Sequence, residues 1–406
     1  MKPLEMKYQR FDFVGMFNIM PEQPMKETVS DKGVKTQTFG YKTIRSGVNQ
    51  KGNQYISRTI NCSIETDKGD TEYLAIDDYA TLGVARTCMF RAKGSKENTR
   101  IDYALGKDPK TIEQCENFLV IKFECGDLKF ETLDMGHLID WIEEHRNELS
   151  GKRVHVSGNA QVSEYEGNLQ VKYKPSNVRN AYDNEVDDLK IDLNVVYTKG
   201  AIKALSFADV AQQEVKKVPI NMLFPITVDS ETKSIGLIKS GDTINLNVEM
   251  LDFYNPETEN IYNYMLNLLN YRAVVDPSTK ALTEVELENF KYYSARFIGH
   301  IKSNKKDGDL KEEELTMQEK FYLQTQMKTL DDIKKERGIR KTSDKIIVVD
   351  AIPYDVEEVE VTQEQLNCEK KTAPATVSAN VFTPPTTPNG NVGVPKMPPF
   401  SMGLNK

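Results

Sequence analysis

Hydrophobic and polar residues alternate with a period of two along residues 151–174, which read GKRVHVSGNAQVSEYEGNLQVKYK. The apolar positions are Val154, Val156, Ala160, Val162, Leu169, Val171 and Tyr173. The Glu-Gly-Asn run at residues 166–168 is typical of a turn, so the alternation belongs to two strands joined as a hairpin. The pattern therefore predicts a hairpin with one apolar face and one polar, basic face.

A second hairpin is predicted around Gly52, because residues 49–53 form an Asn- and Gly-rich turn between two strand-like segments. In its second strand the inward positions are mostly apolar: Ile56, Ile60, Cys62 and Ile64. Tyr55 then lies on the outward face. Arg58 falls at an inward position, so it must lie near the end of a barrel or pair with an acidic residue.

Helical periodicity replaces the alternation over residues 134–149, where Asp134 is a suitable N-cap. The apolar stripe comprises Leu138, Trp141, Ile142, His145 and Leu149. Two more helices are predicted at residues 255–272 and 312–337. Further strands are predicted at residues 117–125, 191–197, 218–228, 242–253, 296–301 and 345–351.

The length of 406 residues predicts two or three domains. An acidic run at residues 183–188 marks a boundary. We therefore expect a first domain at 1–182 with a polar insertion at about 67–114, and a second α+β domain at 183–369. Residues 370–406 are rich in Pro, Thr, Gly and Asn and are expected to form a disordered tail.

The order strand, helix, then a hairpin that opens with G-K-R-V-x-V-x-G resembles the second half of an OB-fold. The resemblance covers roughly residues 8–180 and implies a mainly β, α+β protein with a five-stranded barrel that binds oligonucleotides. The second domain is a less regular candidate for the same fold. The tail with its near-terminal Pro399 and Phe400 resembles that of bacterial-type single-stranded DNA-binding proteins, but it has no acidic residue after Glu369.

Charge is distributed unevenly, although the net charge is −8. Residues 32–64 contain six cationic side chains and no acidic one, and three aromatic residues are interleaved with them. Cations suit phosphates and aromatic rings suit unpaired bases, so this composition favours a single-stranded ligand. The alternative is a solvated hairpin whose aromatic residues are core. The predicted binding residues are Lys42, Arg45, Lys51, Tyr55, Arg153, Lys172 and Lys174.

The sequence carries no recognisable catalytic or phosphate-loop motif, so we expect no enzymatic activity and no cofactor. Five irregularly spaced cysteines and four scattered histidines predict free thiols and no metal site. The basic tip at residues 91–96, RAKGSK, is either a finger over a ligand or, as we favour, a surface loop. No apolar run reaches the ~18 residues of a membrane span, and the N-terminus lacks a signal peptide. We expect a cytoplasmic location, in the host if the protein is viral.

These patterns predict a non-catalytic single-stranded DNA-binding protein of replication or recombination, similar to the larger OB-type proteins of bacteriophage or viral systems. RNA is an open alternative ligand. Replication or recombination proteins are the expected partners of the tail. A different class, a structural or assembly protein such as a virion component with β-barrel scaffolding and a tether tail, fits the same fold.

Overall fold

The computed structural model describes residues 2–49, 51–165, 168–202, 205–213, 217–229, 232, 234–241, 243–247, 256–276, 278–306, 315–325, 327–329, 333, 342–350 and 353–367. Residues 1–368 belong to one compact unit. The predicted tail at 370–406 and most of the predicted turn at 166–168 lie outside the described residues. The proposed division at residue 182 stays a prediction.

Strands dominate the described chain and helices are few, which confirms a mainly β, α+β protein. The strands are β1 Lys2–Pro3, β2 Gln9–Ile19, β3 Lys26–Val29, β4 Lys35–Thr38, β5 Lys42–Val48, β6 Gln54–Glu65, β7 Thr71–Thr81, β8 Thr87–Phe90, β9 Thr99–Asp102, β10 Ile121–Cys125, β11 Leu128–Thr132, β12 Lys152–Tyr165, β13 Asn168–Asn180, β14 Asp188–Thr198, β15 Lys217–Pro219, β16 Leu223–Asp229, β17 Ser234–Lys239, β18 Ile244–Asn247, β19 Tyr271–Val275, β20 Leu282–Glu286, β21 Tyr292–Lys306, β22 Thr342–Val349 and β23 Tyr354–Glu360. The α-helices are α1 Pro109–Gln114, α2 Met135–Leu149, α3 Phe207–Ala211, α4 Pro256–Leu268, α5 Met317–Gln324 and α6 Gln363–Leu366.

Five strands of the first half pair in a closed cycle, which we call the five-strand ring. Antiparallel ladders join β12 to β2, β2 to β6, β6 to β7 and β12 to β13. The cycle closes where β13 runs parallel to β7, with Tyr173 opposite Leu74. The two predicted hairpins, β5–β6 and β12–β13, are confirmed.

The interior of the ring is filled by the inward side chains of the alternating pattern. Fully buried members are Phe13, Phe17, Ile60, Ile64, Ile76, Val154 and Val156. Burial of each large apolar side chain contributes about 1.5–3 kcal/mol, so this interior is the main reason that the strands hold together.

Strand β2 pairs with three neighbouring strands, because two of them, β14 and β6, pair with successive parts of the same edge. One edge pairs with β12 over residues 9–17, and the other pairs first with β14 over residues 10–14 and then with β6 over residues 16–19. Gly15 lies where the partner changes, and a Cβ there would approach the Glu65 carbonyl oxygen to 2.5 Å. The close approach explains why this position has no side chain.

Helix α2 packs against β7, β2 and β6, as the apolar stripe predicts. The Asp134 carboxylate accepts a hydrogen bond from the Gly136 amide at 2.7 Å and caps the helix. Leu138, Ile142 and Leu149 are fully buried. Trp141 is only half-buried and stacks on Phe130, with ring centroids 5.1 Å apart, so the single tryptophan lies on the flank of the helix.

His137 of the same helix is buried against Thr132 and the ring of Tyr103. Burial lowers the pKa of His137, although the charge of Asp134 acts in the opposite direction. The unfolded chain therefore binds a proton more readily at this position. The free energy of unfolding is therefore highest, as far as His137 is concerned, above the ordinary histidine pKa of about 6.5. This contribution of His137 is lost as the pH falls through the lower pKa of the folded protein.

We therefore expect His137→Gln to lose less stability than the parent between pH 7.5 and pH 5. Melting temperatures measured at both values would show a smaller difference for the variant. Asn147→Ala changes an exposed side chain on the same helix that does not titrate, and it should keep the parent's difference. Identical pH dependence in His137→Gln and Asn147→Ala would contradict the assignment.

Two sequence predictions in the first half need correction. Residues 71–81, assigned to the insertion, form β7 and complete the ring. The acidic residues Glu72 and Asp78 occupy inward positions and hid the alternation. The strand predicted at 117–125 begins as a 3₁₀ turn, Asn117–Leu119, and continues as β10, which pairs with β11 and lies in parallel beside β13 outside the cycle.

In the second half, β14 pairs with β21 and β16, β21 with β22, and β18 with β15 and, in parallel, with β22. Helix α4 follows β18 in the chain and confirms the core of the predicted helix at 255–272. The helix predicted at 312–337 is interrupted within its described part. Helix α5 starts at a capping box on Thr316 and ends at Thr325, whose hydroxyl donates back to the Phe321 carbonyl at 2.7 Å, and residues 327–329 are not helical.

Candidate nucleic-acid interface

Three tyrosines project from the outward face of β6 and β7. Ile60, Cys62, Leu74 and Ile76 point into the ring, so the alternating positions of both strands point out. Tyr73 and Tyr79 are 55% and 53% exposed, and Tyr55 is half-buried. Large exposed aromatic rings on a rigid sheet are available to stack on a ligand.

Tyr55 and Tyr79 form a stacked pair, with centroids 5.1 Å apart and an interplanar angle of 22°. The Asn49 amide donates a hydrogen bond to the Tyr79 hydroxyl at 3.2 Å. Tyr55 lies opposite Gly47 of β5 in the ladder between β5 and β6. These contacts hold the two rings in place before any ligand arrives, which lowers the entropy cost of binding.

Cations flank the rings on both sides. Arg45 lies opposite Ser57 on the outward face of β5–β6, and Lys172 and Lys174 lie on β13 beside β7. Lys174 reaches Asp77 at 3.8 Å, whereas no ion pair joins Arg45 or Lys172 to another described residue. We call the set Arg45, Tyr55, Tyr73, Tyr79, Lys172 and Lys174 the tyrosine face. Lys51 is exposed in the turn beside Asn49, which contacts Tyr79.

Lys42, a predicted binding residue, lies away from this face. Its register opposite Ile60 directs it inward, and its ammonium donates to Glu143 of α2 at 2.7 Å. Burial alone would lower the pKa of Lys42, but the hydrogen bond to Glu143, the charge of Glu143 and the contact with Tyr41 together outweigh burial, so the pKa is raised. Lys42 therefore ties β5 to α2.

Arg153 is also occupied elsewhere. Its guanidinium donates to the Asp187 carboxylate at 2.7 Å and to the Tyr182 carbonyl at 2.9 Å. These bonds fasten the chain segment between β13 and β14 to β12. The structure thus places Arg45 on the same outward face as Tyr55, Lys172 and Lys174 on the strand beside β7, and Lys51 in the turn that follows β5. Arg153 and Lys42 lie apart from the tyrosine face.

Sequence reasoning missed Tyr73 and Tyr79 because both fall in the supposed insertion. The signal was present: Tyr73 and Tyr79 alternate with Leu74 and Ile76 at period two. The acidic residues Glu72 and Asp78, at inward positions, interrupt the pattern. A charged residue that is buried because its partners lie elsewhere in the chain breaks the alternation, so the strand cannot be recognised from neighbouring residues alone.

Beneath the tyrosine face an ion network holds β6, β7 and α2 together. We call it the Asp78 network; it comprises Arg58, Asp78, Arg86, Asp134 and Asp140. Asp78 is only 8% exposed and receives Arg58 at 3.2 Å and Arg86 at 2.7 Å. Burial alone would lower the pKa of Arg58, but hydrogen bonds to Asp140 and Asp78 raise it. The expected acidic partner of Arg58 is thus confirmed.

The cysteines offer no reactive site in the part of the chain that the structure describes. Cys62, Cys88, Cys115 and Cys125 are free and buried, as predicted. Burial raises the pKa of Cys88 and of Cys125 to about 11, so both remain protonated thiols at neutral pH.

Within the described residues no group of His, Cys, Asp and Glu side chains could hold a metal ion. None of the described helices is both long and apolar enough to span a bilayer.

Comparison with known proteins adds little to this geometry. No protein-family model matches the sequence, and no curated protein matches it. Among solved structures, a deletion mutant of the single-stranded DNA binding protein from Thermus aquaticus aligns with 6% identity over 73% of this chain and 87% of that chain. The TM-score of this alignment is 0.23, which is too low to establish a common fold.

Proposed function

We propose that this protein binds single-stranded DNA without catalysis, in replication or recombination, and that the strand lies across the tyrosine face. The carrying observation is the pre-stacked pair of half-buried Tyr55 and exposed Tyr79, with Arg45 on the neighbouring strand β5 and Lys174 at Asp77 of β7. Stacking contributes about 1–3 kcal/mol per base and tolerates any base, while Arg and Lys add a salt-dependent share.

The strand order of the five-strand ring supports an OB-fold for the first half. In chain order the ring strands are β2, β6, β7, β12 and β13, and the third and fifth run parallel. Helix α2 lies between the third and fourth. OB-folds bind oligonucleotides on the face of their second and third strands and on the loops after the first and fourth strands. The three tyrosines of the tyrosine face lie on the corresponding strands β6 and β7, and Arg45 and Lys51 lie in the connection that follows the first strand.

The second half supports the same interpretation. Strands β14, β16, β18, β21 and β22 have a similar order of pairs, β18 and β22 are parallel, and α4 separates β18 from β21. We therefore propose a second, more irregular OB-fold whose second strand is broken into β15 and β16.

The salt dependence of binding tests the proposed function. The triple variant Arg45→Ala, Lys51→Ala, Lys172→Ala should bind labelled oligo-dT more weakly than the parent. The slope of log affinity against log salt should fall by roughly 2, since each phosphate contact to a single strand contributes about 0.7. Fluorescence anisotropy at a series of salt concentrations measures both quantities.

Lys42→Ala is the matched control, because it removes a cation of the same hairpin that is paired with Glu143. It should keep the parent's slope and lower the melting temperature instead. If the parent binds no oligo-dT even at low salt, the proposed function is wrong, and self-association measured by light scattering would then favour the structural or assembly protein.

A further inference from the structure

A row of outward polar side chains leads away from the tyrosine face across three neighbouring strands. Lys174 of β13 lies opposite Asn159 of β12, and Asn159 lies opposite Arg10 of β2. Arg10 in turn lies opposite Asp192 of β14. Residues directly opposite each other in adjacent strands project from the same face of a sheet, so the row is continuous.

The row ends at a cleft of about 540 Å³, which we call the Phe118 cleft; its lining includes Arg10, Phe118, Asn159, Lys190, Asp192 and Arg296. Phe118 is 63% exposed on the 3₁₀ turn Asn117–Leu119. The guanidinium of Arg91 lies 5.0 Å from the centre of its ring. An exposed phenyl ring backed by a cation is a stacking platform that also carries positive charge.

The charge balance of the cleft favours an anion. Two carboxylates lie in its wall, and each is already engaged: Asp12 bonds to His155, and Asp192 accepts from the Arg296 guanidinium at 3.1 Å. Arg10 and Lys190 are exposed, and neither forms an ion pair with any residue that the structure describes. Two cations are thus left to contact phosphates beside an exposed ring.

We infer that the bound strand continues from the tyrosine face over β13, β12 and β2 into the Phe118 cleft. There a base stacks on Phe118 and the backbone phosphates contact Arg10 and Lys190. From β7 to β14 the path crosses four strand spacings, about 19 Å at ~4.8 Å each. This inference rests on the proposed function and deepens it, because it names the path of the ligand and places Arg91 of the basic tip behind the Phe118 ring on which a base stacks.

Oligonucleotides of two lengths distinguish binding in the Phe118 cleft from binding on the tyrosine face. We choose labelled oligo-dT of about 4 and about 16 nucleotides, the range of site sizes for one OB-fold. Phe118→Ala should weaken binding of the long oligonucleotide about fivefold or more and change binding of the short one by less than twofold. The double variant Arg10→Ala, Lys190→Ala should also lower the salt slope for the long oligonucleotide by roughly 1.4.

Phe321→Ala and Lys239→Ala remove exposed side chains that do not line the cleft, and both should bind like the parent. Unchanged affinity of Phe118→Ala for the long oligonucleotide would overturn the inference, and so would equal losses at both lengths. Neither outcome affects the proposed function. The function itself fails only if the parent binds neither oligonucleotide, and melting temperatures equal to the parent's exclude misfolding of the variants.

Discussion

Replacing Tyr55 and Tyr79 together by Ala is expected to weaken binding of oligo-dT about 30-fold. Each ring offers a stacking surface, and the loss of two base contacts at ~1 kcal/mol each gives about 2 kcal/mol, or roughly that factor. The effect should persist at high salt, because stacking involves no release of counterions. Fluorescence anisotropy at low and high salt measures it.

Two controls make this result specific. The variant Tyr55→Phe, Tyr79→Phe keeps both rings and loses only their hydroxyls, including the acceptor of the Asn49 hydrogen bond, so its affinity should stay within about twofold of the parent's. Tyr271→Ala removes a tyrosine of comparable exposure from the β19–β20 hairpin, which forms a separate small sheet. If the double Ala variant binds as tightly as Tyr271→Ala, the strand does not lie on these rings.

Asp78→Ala is expected to lower the free energy of unfolding by about 3 kcal/mol. Loss of one partner from a buried ion pair costs about 3–5 kcal/mol, because the remaining charge stays buried without compensation. The lower end applies here, since the side chains of Arg58 and Arg86 are 23% and 28% exposed and water can partly solvate them. Urea unfolding followed by the fluorescence of Trp141, which lies on α2 beside the network, would report the loss.

The adjacent residue provides a matched control. Asp77 points outward and meets Lys174 at 3.8 Å, so Asp77→Ala should cost less than about 1 kcal/mol. Adding Arg58→Met and Arg86→Met to Asp78→Ala should restore part of the lost stability, because the uncompensated cations are then gone. Equal losses in Asp77→Ala and Asp78→Ala would show that the Asp78 network does not hold β6, β7 and α2 together.

Local sequence patterns were sufficient to predict a strand or helix where one face of that element is apolar. The hairpins β5–β6 and β12–β13 alternate cleanly, and α2 combines a periodic stripe with the Asp134 cap. In each of these elements burial and backbone geometry favour the same residues, so neighbours in sequence predict the structure. Tyr55 could be assigned to the outward face for this reason alone.

Local patterns failed where a charge is buried or a cation is paired at long range. Asp78 breaks the alternation of β7, and its partners Arg58 and Arg86 lie 20 and 8 residues away in sequence. Lys42 and Arg153 look like free cations in the sequence, but Glu143 and Asp187 engage them. Composition records how many charges a segment carries and cannot record which of them are neutralised by a distant carboxylate.

The sequence by itself determined the α+β class, both hairpins, helix α2 and the basic, aromatic character of residues 32–64, since these depend on periodicity and composition. The tertiary structure alone decided that β7 completes the five-strand ring, that Tyr73 and Tyr79 join Tyr55 on one face, and that Arg10, Phe118 and Lys190 meet in a cleft. The physical reason is that pairing between strands distant in sequence sets which outward side chains become neighbours, and no local pattern encodes that register.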